Sequence, residues 1–97
     1  GRILIDPSIH VLDVRRQSEW APEHVEGSIN IAHTRLIDRI DQVPTDVRLY
    51  VHCAGGTRSG MAASELRRRG YDALNIAGGM GAMRKVGIET CSKERVS

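Results

Sequence analysis

The stretch from Leu49 to Gly60 constrains the fold of this chain more than any other. An apolar run, Leu49-Tyr50-Val51-His52, ends at Cys53. It opens into Ala54-Gly55-Gly56-Thr57-Arg58-Ser59-Gly60, and a helix-like segment follows from Met61 to Arg69. This reads as a strand, a glycine-rich turn and a helix in immediate succession. Backbone N–H groups in such a turn can point at one centre and hold an anion, and the start of the helix adds positive partial charge. A cysteine there is arranged to be a thiolate and a nucleophile.

The rest of the chain repeats the alternation. Ile3-Leu4-Ile5 is a short apolar stretch ended by Asp6-Pro7, and Val11-Leu12-Asp13-Val14 reads as a buried strand interrupted by one carboxylate. Ser18 is the expected N-cap of a short helix around Glu19-Trp20-Ala21, and Gly27 breaks to a strand at Ile29-Asn30-Ile31. Leu36, Ile37, Ile40 and Val43 recur at helical spacing before Pro44, which predicts a helix there. Leu49 to His52 is the central strand, Ser59 the expected cap of the next helix, and Gly70 its stop. Leu74-Asn75-Ile76 is a further strand, and Gly78-Gly79 turns into a last helix from Met80 to Val86, closed by Gly87. Strands and helices joined by a few residues each predict an α/β fold, helices layered on both sides of a mostly parallel sheet.

Ninety-seven residues fit one small domain, read here as residues 1–90, with a frayed tail over 91–97. With one Trp, two Tyr and no Phe, the core must be aliphatic. Fourteen basic against 12 acidic residues leave a net charge of +2, too balanced for a nucleic-acid binder. Arg67-Arg68-Arg69 sits where cations suit the negative end of a helix. No apolar run reaches the roughly 20 residues that span a membrane, and no signal peptide is visible. Cys53 and Cys91 stand in different contexts and make no disulfide framework, so a reducing cytoplasm is the expected home. The start at Gly1, without methionine, reads as a domain excised from something longer.

The motifs resemble those of rhodanese domains. Val11-Leu12-Asp13-Val14-Arg15, Glu19-Trp20 and His24-Val25-Glu26-Gly27-Ser28-Ile29-Asn30-Ile31 look like the family's amino-terminal signature. Cys53 to Ser59 resembles its active-site loop, and Ala77-Gly78-Gly79 its carboxy-terminal signature. The resemblance covers about residues 8 to 88. It implies a three-layer rhodanese fold and sulfurtransferase chemistry on a Cys53 persulfide. The implied partners are a small-molecule sulfur donor, thiosulfate or a persulfide, and a thiol or cyanide acceptor, with no cofactor. Two positions depart from the pattern. Ala54 stands where thiosulfate-using members often carry arginine, which argues for persulfide donors, and Met80 and Met83 stand where tryptophans are usual. The wording of the loop also resembles rhodanese domains fused to metallo-β-lactamase-type persulfide dioxygenases, so covalent attachment to another enzymatic domain is among the expectations.

The loop chemistry can be sized. A free thiol with a pKa near 8.5 is only about 3% thiolate at pH 7. Each unit of lowering corresponds to about 1.4 kcal/mol. A helix terminus supplies about 0.3–1 kcal/mol, at best about 2, so the loop N–H groups and Arg58 must add the remainder. Gly55 and Gly56 suit positive φ angles, Arg58 suits a donor anion, and Thr57 and Ser59 offer hydroxyls to the persulfide or the helix cap. Ala54, Gly55, Gly56, Thr57, Arg58 and Ser59 therefore form the expected substrate-binding loop around Cys53.

Asp13 is read as structural, with Arg15 as its ion-pair partner or as a residue of the site mouth. His24 is read as a hydrogen-bonded structural histidine. His52 should face away from Cys53, as neighbours on a strand do. The histidines show no metal-ligand spacing, so no metal is expected. Three rival functions remain to be weighed. A cysteine phosphatase or arsenate reductase would carry a loop one residue longer than the four residues separating Cys53 from Arg58. A P-loop would need lysine where Met61 stands. A sulfur-relay or regulatory module within a larger protein would use the same cysteine.

Overall fold

The computed structural model describes residues 2–3 and 10–76. The expected last helix from Met80 to Val86, Met83, Cys91 and the tail lie outside the described residues. In chain order the elements are β1 (Arg2–Ile3), β2 (His10–Asp13), α1 (Gln17–Trp20), β3 (His24–Val25), β4 (Ile29–Asn30), two 3₁₀ turns (His33–Arg35 and Ile40–Gln42), β5 (Arg48–His52), α2 (Thr57–Arg68) and β6 (Asp72–Asn75). Four strands form one sheet in the order β4-β2-β5-β6, parallel throughout, and β1 pairs in parallel with β3 in a separate ribbon. This is the α/β class on a parallel sheet that the alternation predicts.

Alternation along the strands sorts the apolar residues by face. Leu12, Leu49, Val51 and Ala73 pack on one side with Ala62, Ala63 and Leu66 of α2, in a core completed by Val14, Ile31, Leu36 and Val43. Val11 and Val25 pack on the other side with Tyr50 and Ile76. The helix that covers the first face is stopped as the sequence predicts. Gly70 adopts φ 91°, its N–H donates to Arg67 O (3.1 Å), and the Tyr71 N–H donates to Leu66 O (3.0 Å). In its last turn Arg68 and Arg69 pair with Glu65, and Arg67 donates to Ala73 O (3.0 Å).

Three local expectations change. The short helix α1 begins two residues earlier than Ser18 implies, with Arg16 at the cap and the Glu19 carboxylate accepting from the Arg16 N–H (3.2 Å). Glutamate at the third helical position does the capping that serine was expected to do. The segment from Leu36 to Val43 is not an α-helix. Its N–H groups bond mostly three residues back: Leu36 to His33, Ile40 to Ile37, Gln42 to Arg39 and Val43 to Ile40. That geometry buries Leu36 and Val43 while leaving Ile37 47% exposed. Finally, α2 is entered through Gly56, with φ 94°, so Ser59 lies inside the helix rather than at its cap. Gly55 carries no positive φ among the described residues; the left-handed turn falls on Gly56.

The register fixes which side chains meet at one end of the sheet. Asp13 is level with Asn30 on one side and with His52 on the other, and Val51 with Asn75. The connection after β2 leads away through α1 towards β4, whereas the connection after β5 leads through α2 towards β6. A crevice therefore opens between the carboxyl ends of β2 and β5, the usual ligand position on such sheets.

The wall of that end is polar but dry. His52 is fully buried, its Nε2 lies 3.5 Å from Asp13 Oδ2, and neither ring nitrogen has a hydrogen-bond partner. Burial, the largest influence, holds the imidazole below its ordinary pKa, and Arg15 adds to the lowering, while Asp13 and the Cys53 backbone oppose it. The unfolded chain takes up this proton near pH 6.5, and the folded chain only at lower pH. Stability is therefore expected to be fully present above about pH 6.5 and to decline as the pH falls towards about 5. Denaturant unfolding across that range, in wild type and His52→Leu, checks this; the variant should show a flatter acid slope.

Candidate active site

Cys53 follows directly on β5, and its side chain joins the aliphatic core beneath α2 rather than open solvent. The turn Ala54-Gly55-Gly56 then brings the chain back over the sulfur. The Gly56 N–H donates to Cys53 Sγ at 3.0 Å and the Ser59 N–H at 3.4 Å. Ser59 Oγ also lies 3.4 Å from the sulfur, accepting the S–H of the thiol and able to donate to the thiolate. Only glycine adopts the left-handed φ of 94° at residue 56 without strain, and that φ aims the N–H inward.

Two opposed influences set the thiol's acidity. Burial is the largest and pushes the Cys53 pKa up. The hydrogen bonds from the Ser59 hydroxyl, the Ser59 N–H and the Gly56 and Gly55 N–H groups together outweigh it, so the pKa falls below the ordinary thiol value. The arrangement is a preformed anion cradle in a dry setting, where each N–H···S contact is stronger than it would be in water.

The loop residues expected to bind substrate divide by role. Gly56 and Ser59 touch the sulfur. Ala54 and Gly55 are exposed on the turn, and Thr57 is exposed at the first position of α2. Arg58 does not stand free for a donor anion. Its Nη1 donates to Glu19 Oε1 at 2.8 Å and its Nη2 to Glu19 Oε2 at 3.1 Å. Glu19 is the first influence holding this guanidinium protonated, and Cys53 contributes less strongly. The same hydrogen bond from Arg58 is the main reason that the Glu19 carboxyl is lowered to about 2. The pair joins α1, in the connection after β2, to the first turn of α2, in the connection after β5, so it bridges the crevice.

Asp13 and Arg15 make a second, buried pair. Arg15 Nε donates to Asp13 Oδ1 (3.0 Å) and Nη2 to Oδ2 (2.8 Å), while Nη2 also donates to Glu23 O (2.8 Å). The Arg15 N–H donates to Asp13 Oδ1 (2.9 Å). Asn30 Nδ2 ties the same turn to β4, donating to Asp13 O (3.1 Å) and Arg15 O (2.9 Å). Arg15 thus anchors the loop that carries Glu19. His24 stacks on Trp20 at 3.8 Å and its Nδ1–H donates to Trp20 O (2.9 Å), far along the chain from the cysteine loop. His52 belongs to the Asp13 side of the sheet. Among the described residues no group of three or more His, Cys, Asp or Glu is placed to hold a metal ion.

Two contributors escape sequence reasoning. Glu19 has a local signal, a glutamate three positions after a helix cap, but its bond to Arg58 spans 39 residues of chain. Asn75, at the end of β6, lies with its Oδ1 2.6 Å from Ser59 Oγ and accepts the hydroxyl proton. Turning the Asn75 amide to donate instead would release that proton to the Cys53 thiolate, since the hydroxyl has one hydrogen and two lone pairs.

Comparison with known proteins shows what the chain is similar to. The rhodanese-like domain family model matches residues 2–85. The chain is 37% identical over 73 residues to the thiosulfate sulfurtransferase PspE of Escherichia coli, covering 73% of this chain and 70% of that protein. It is 36% identical over 70 residues to "Uncharacterized protein YqhL" of Bacillus subtilis, covering 71% of this chain but only 56% of that protein. The crystal structure of a rhodanese-like domain protein from Staphylococcus aureus superposes with a TM-score of 0.73 at 27% identity, over 84% of this chain and 88% of that one. A family model spanning most of the chain, a shared parallel α/β fold and the cysteine loop at the carboxyl end of β5 lead to one assignment: the chain belongs to the rhodanese-like domain family.

Proposed function

We propose that this protein is a sulfurtransferase that carries sulfane sulfur on Cys53, taking it from a small persulfide or thiosulfate donor and passing it to a thiol or cyanide. The observation that carries the reading is the convergence of the Gly56 and Ser59 N–H groups on Cys53 Sγ, at 3.0 and 3.4 Å. Family membership and the likeness to a protein named thiosulfate sulfurtransferase support the same chemistry.

In the first half-reaction the Cys53 thiolate attacks the outer sulfur of a donor R–S–S⁻. The new S–S bond forms as the donor's S–S bond breaks, leaving R–S⁻ and Cys53–S–S⁻ with total charge unchanged. In the second, cyanide or an acceptor thiolate attacks the outer sulfur of Cys53–S–S⁻. Thiocyanate or a new persulfide leaves, and the Cys53 thiolate returns. Each resting form is an anion at the same place, so one cradle of N–H donors serves both. The tight loop, four residues between Cys53 and Arg58, suits a sulfur atom better than the larger tetrahedron of a phosphate. This favours sulfur transfer over the phosphatase reading. With Ala54 in the loop rather than arginine, persulfides are the expected donors and thiosulfate a weak one.

Intact-mass measurement after exposure to a persulfide or thiosulfate donor tests the reading. An added mass of about 32 Da on wild type, lost in Cys53→Ser and kept in Cys91→Ser, is the expected result. No adduct from any donor, or efficient Cys53-dependent hydrolysis of an aryl phosphate, would overturn it. Ser59→Ala probes the cradle. Removing a hydrogen bond to the thiolate should move the acid limb of the transfer rate to higher pH. The rate near pH 6 should drop roughly fivefold, the size of one hydrogen bond of about 1 kcal/mol, and the two proteins should converge in alkali.

A further inference from the structure

Glu19 has no place in the sulfur-transfer scheme above, yet its geometry ties it to the site. It sits on α1, in the connection after β2, and takes both terminal nitrogens of Arg58 in a two-point ion pair of 2.8 and 3.1 Å. Those two nitrogens are the ones a guanidinium would offer to two oxygens of a sulfonate or other oxyanion. Arg15, in the connection after β2, is buried and likewise committed, to Asp13, and Arg16 beside it is exposed at the start of α1. Glu19 also keeps its charge across the working range, because Arg58 first, and then the Arg16 N–H and the charges of Arg58 and Arg15, hold its carboxyl at about 2 against the opposing effect of burial.

We propose that Glu19 is a specificity-determining residue: by holding the Arg58 guanidinium across the mouth of the crevice, it removes the free cation a doubly charged sulfur donor would need, and biases Cys53 towards donors bearing one negative charge. The inference rests on the sulfur-transfer reading and deepens it. The loading step is the same for either donor: thiosulfate passes its outer sulfur to the Cys53 thiolate and leaves as sulfite, and methanethiosulfonate does so and leaves as methanesulfinate. The donors differ by one unit of charge at the group that would meet Arg58.

The Glu19→Gln variant isolates the charge, since the amide still offers an oxygen to the Arg16 N–H and to Arg58. Its kcat/KM with thiosulfate should rise roughly five- to tenfold at low salt, and with methanethiosulfonate less than about twofold. The gain should shrink by several-fold at about 0.5 M salt, where exposed charges are screened, and should vanish when Arg58→Gln is added. Equal changes for both donors, or a fall with thiosulfate, would overturn the proposal. A second readout needs no sulfur transfer: the ratio of Cys53 alkylation rates by iodoacetate and by neutral iodoacetamide. It should rise about threefold or more in Glu19→Gln. Wild type alone gives a check if the variant does not fold. With Arg58 neutralised, salt should raise the iodoacetate ratio by relieving repulsion from the thiolate; a falling ratio would mean that Arg58 is free and Glu19 is no filter. If the alkylation ratio shifts as expected while no donor loads Cys53, the sulfur-transfer reading is the part that fails.

Discussion

The rest of the site depends on a contest at one atom. Burying a thiol raises its pKa, and Cys53 is almost wholly buried in the aliphatic core beneath α2. Left there alone it would be an inert small hydrophobe. What reverses the outcome is the return of the chain over the sulfur, which sets backbone N–H groups of Gly56 and Ser59 and the Ser59 hydroxyl against it. The left-handed Gly56 and the start of α2 at Thr57 serve that convergence. Their positions follow from placing β5 in the middle of a parallel sheet, with β6 beside it.

A second layer of interactions fixes the connection after β2 against the start of α2. Asp13 and Arg15 lock the turn after β2, Asn30 ties that turn to β4, and the turn presents Glu19 to Arg58. The buried pair is a costly device, because both charges leave water, and its retention makes sense as a means of fixing one loop geometry. The result is a crevice with an anion cradle at its floor and a neutralised arginine at its rim. Under the proposal, the floor would hold a sulfur anion and the rim would limit the further negative charge a donor brings.

Much of this was legible in the sequence, and the losses have physical causes. The strands at Val11–Asp13 and Leu49–His52 announce themselves because two faces of the sheet are buried, so nearly every residue in them is apolar or paired. The cysteine loop is local chemistry written in consecutive residues. The segment from Leu36 to Val43 misleads because two buried residues seven apart fit a helix and a pair of 3₁₀ turns equally well, and only packing against the sheet chooses. Ser59 misleads because a serine near a helix start is usually a cap, whereas a glycine in the left-handed region had already opened the helix. The partner of Arg58 was hidden for a different reason: the Glu19 carboxylate that takes both of its terminal nitrogens lies 39 residues away in the chain.

At Cys53, hydrogen bonds overcome burial and lower the thiol pKa. The most direct measurement is a pH titration of thiolate ultraviolet absorbance, taken as the difference between wild type and Cys53→Ser. A midpoint clearly below about 8.5, the ordinary value for a free thiol, is what the cradle predicts. A midpoint at or above that value would mean that burial wins and that Cys53 is a core thiol rather than a sulfur carrier.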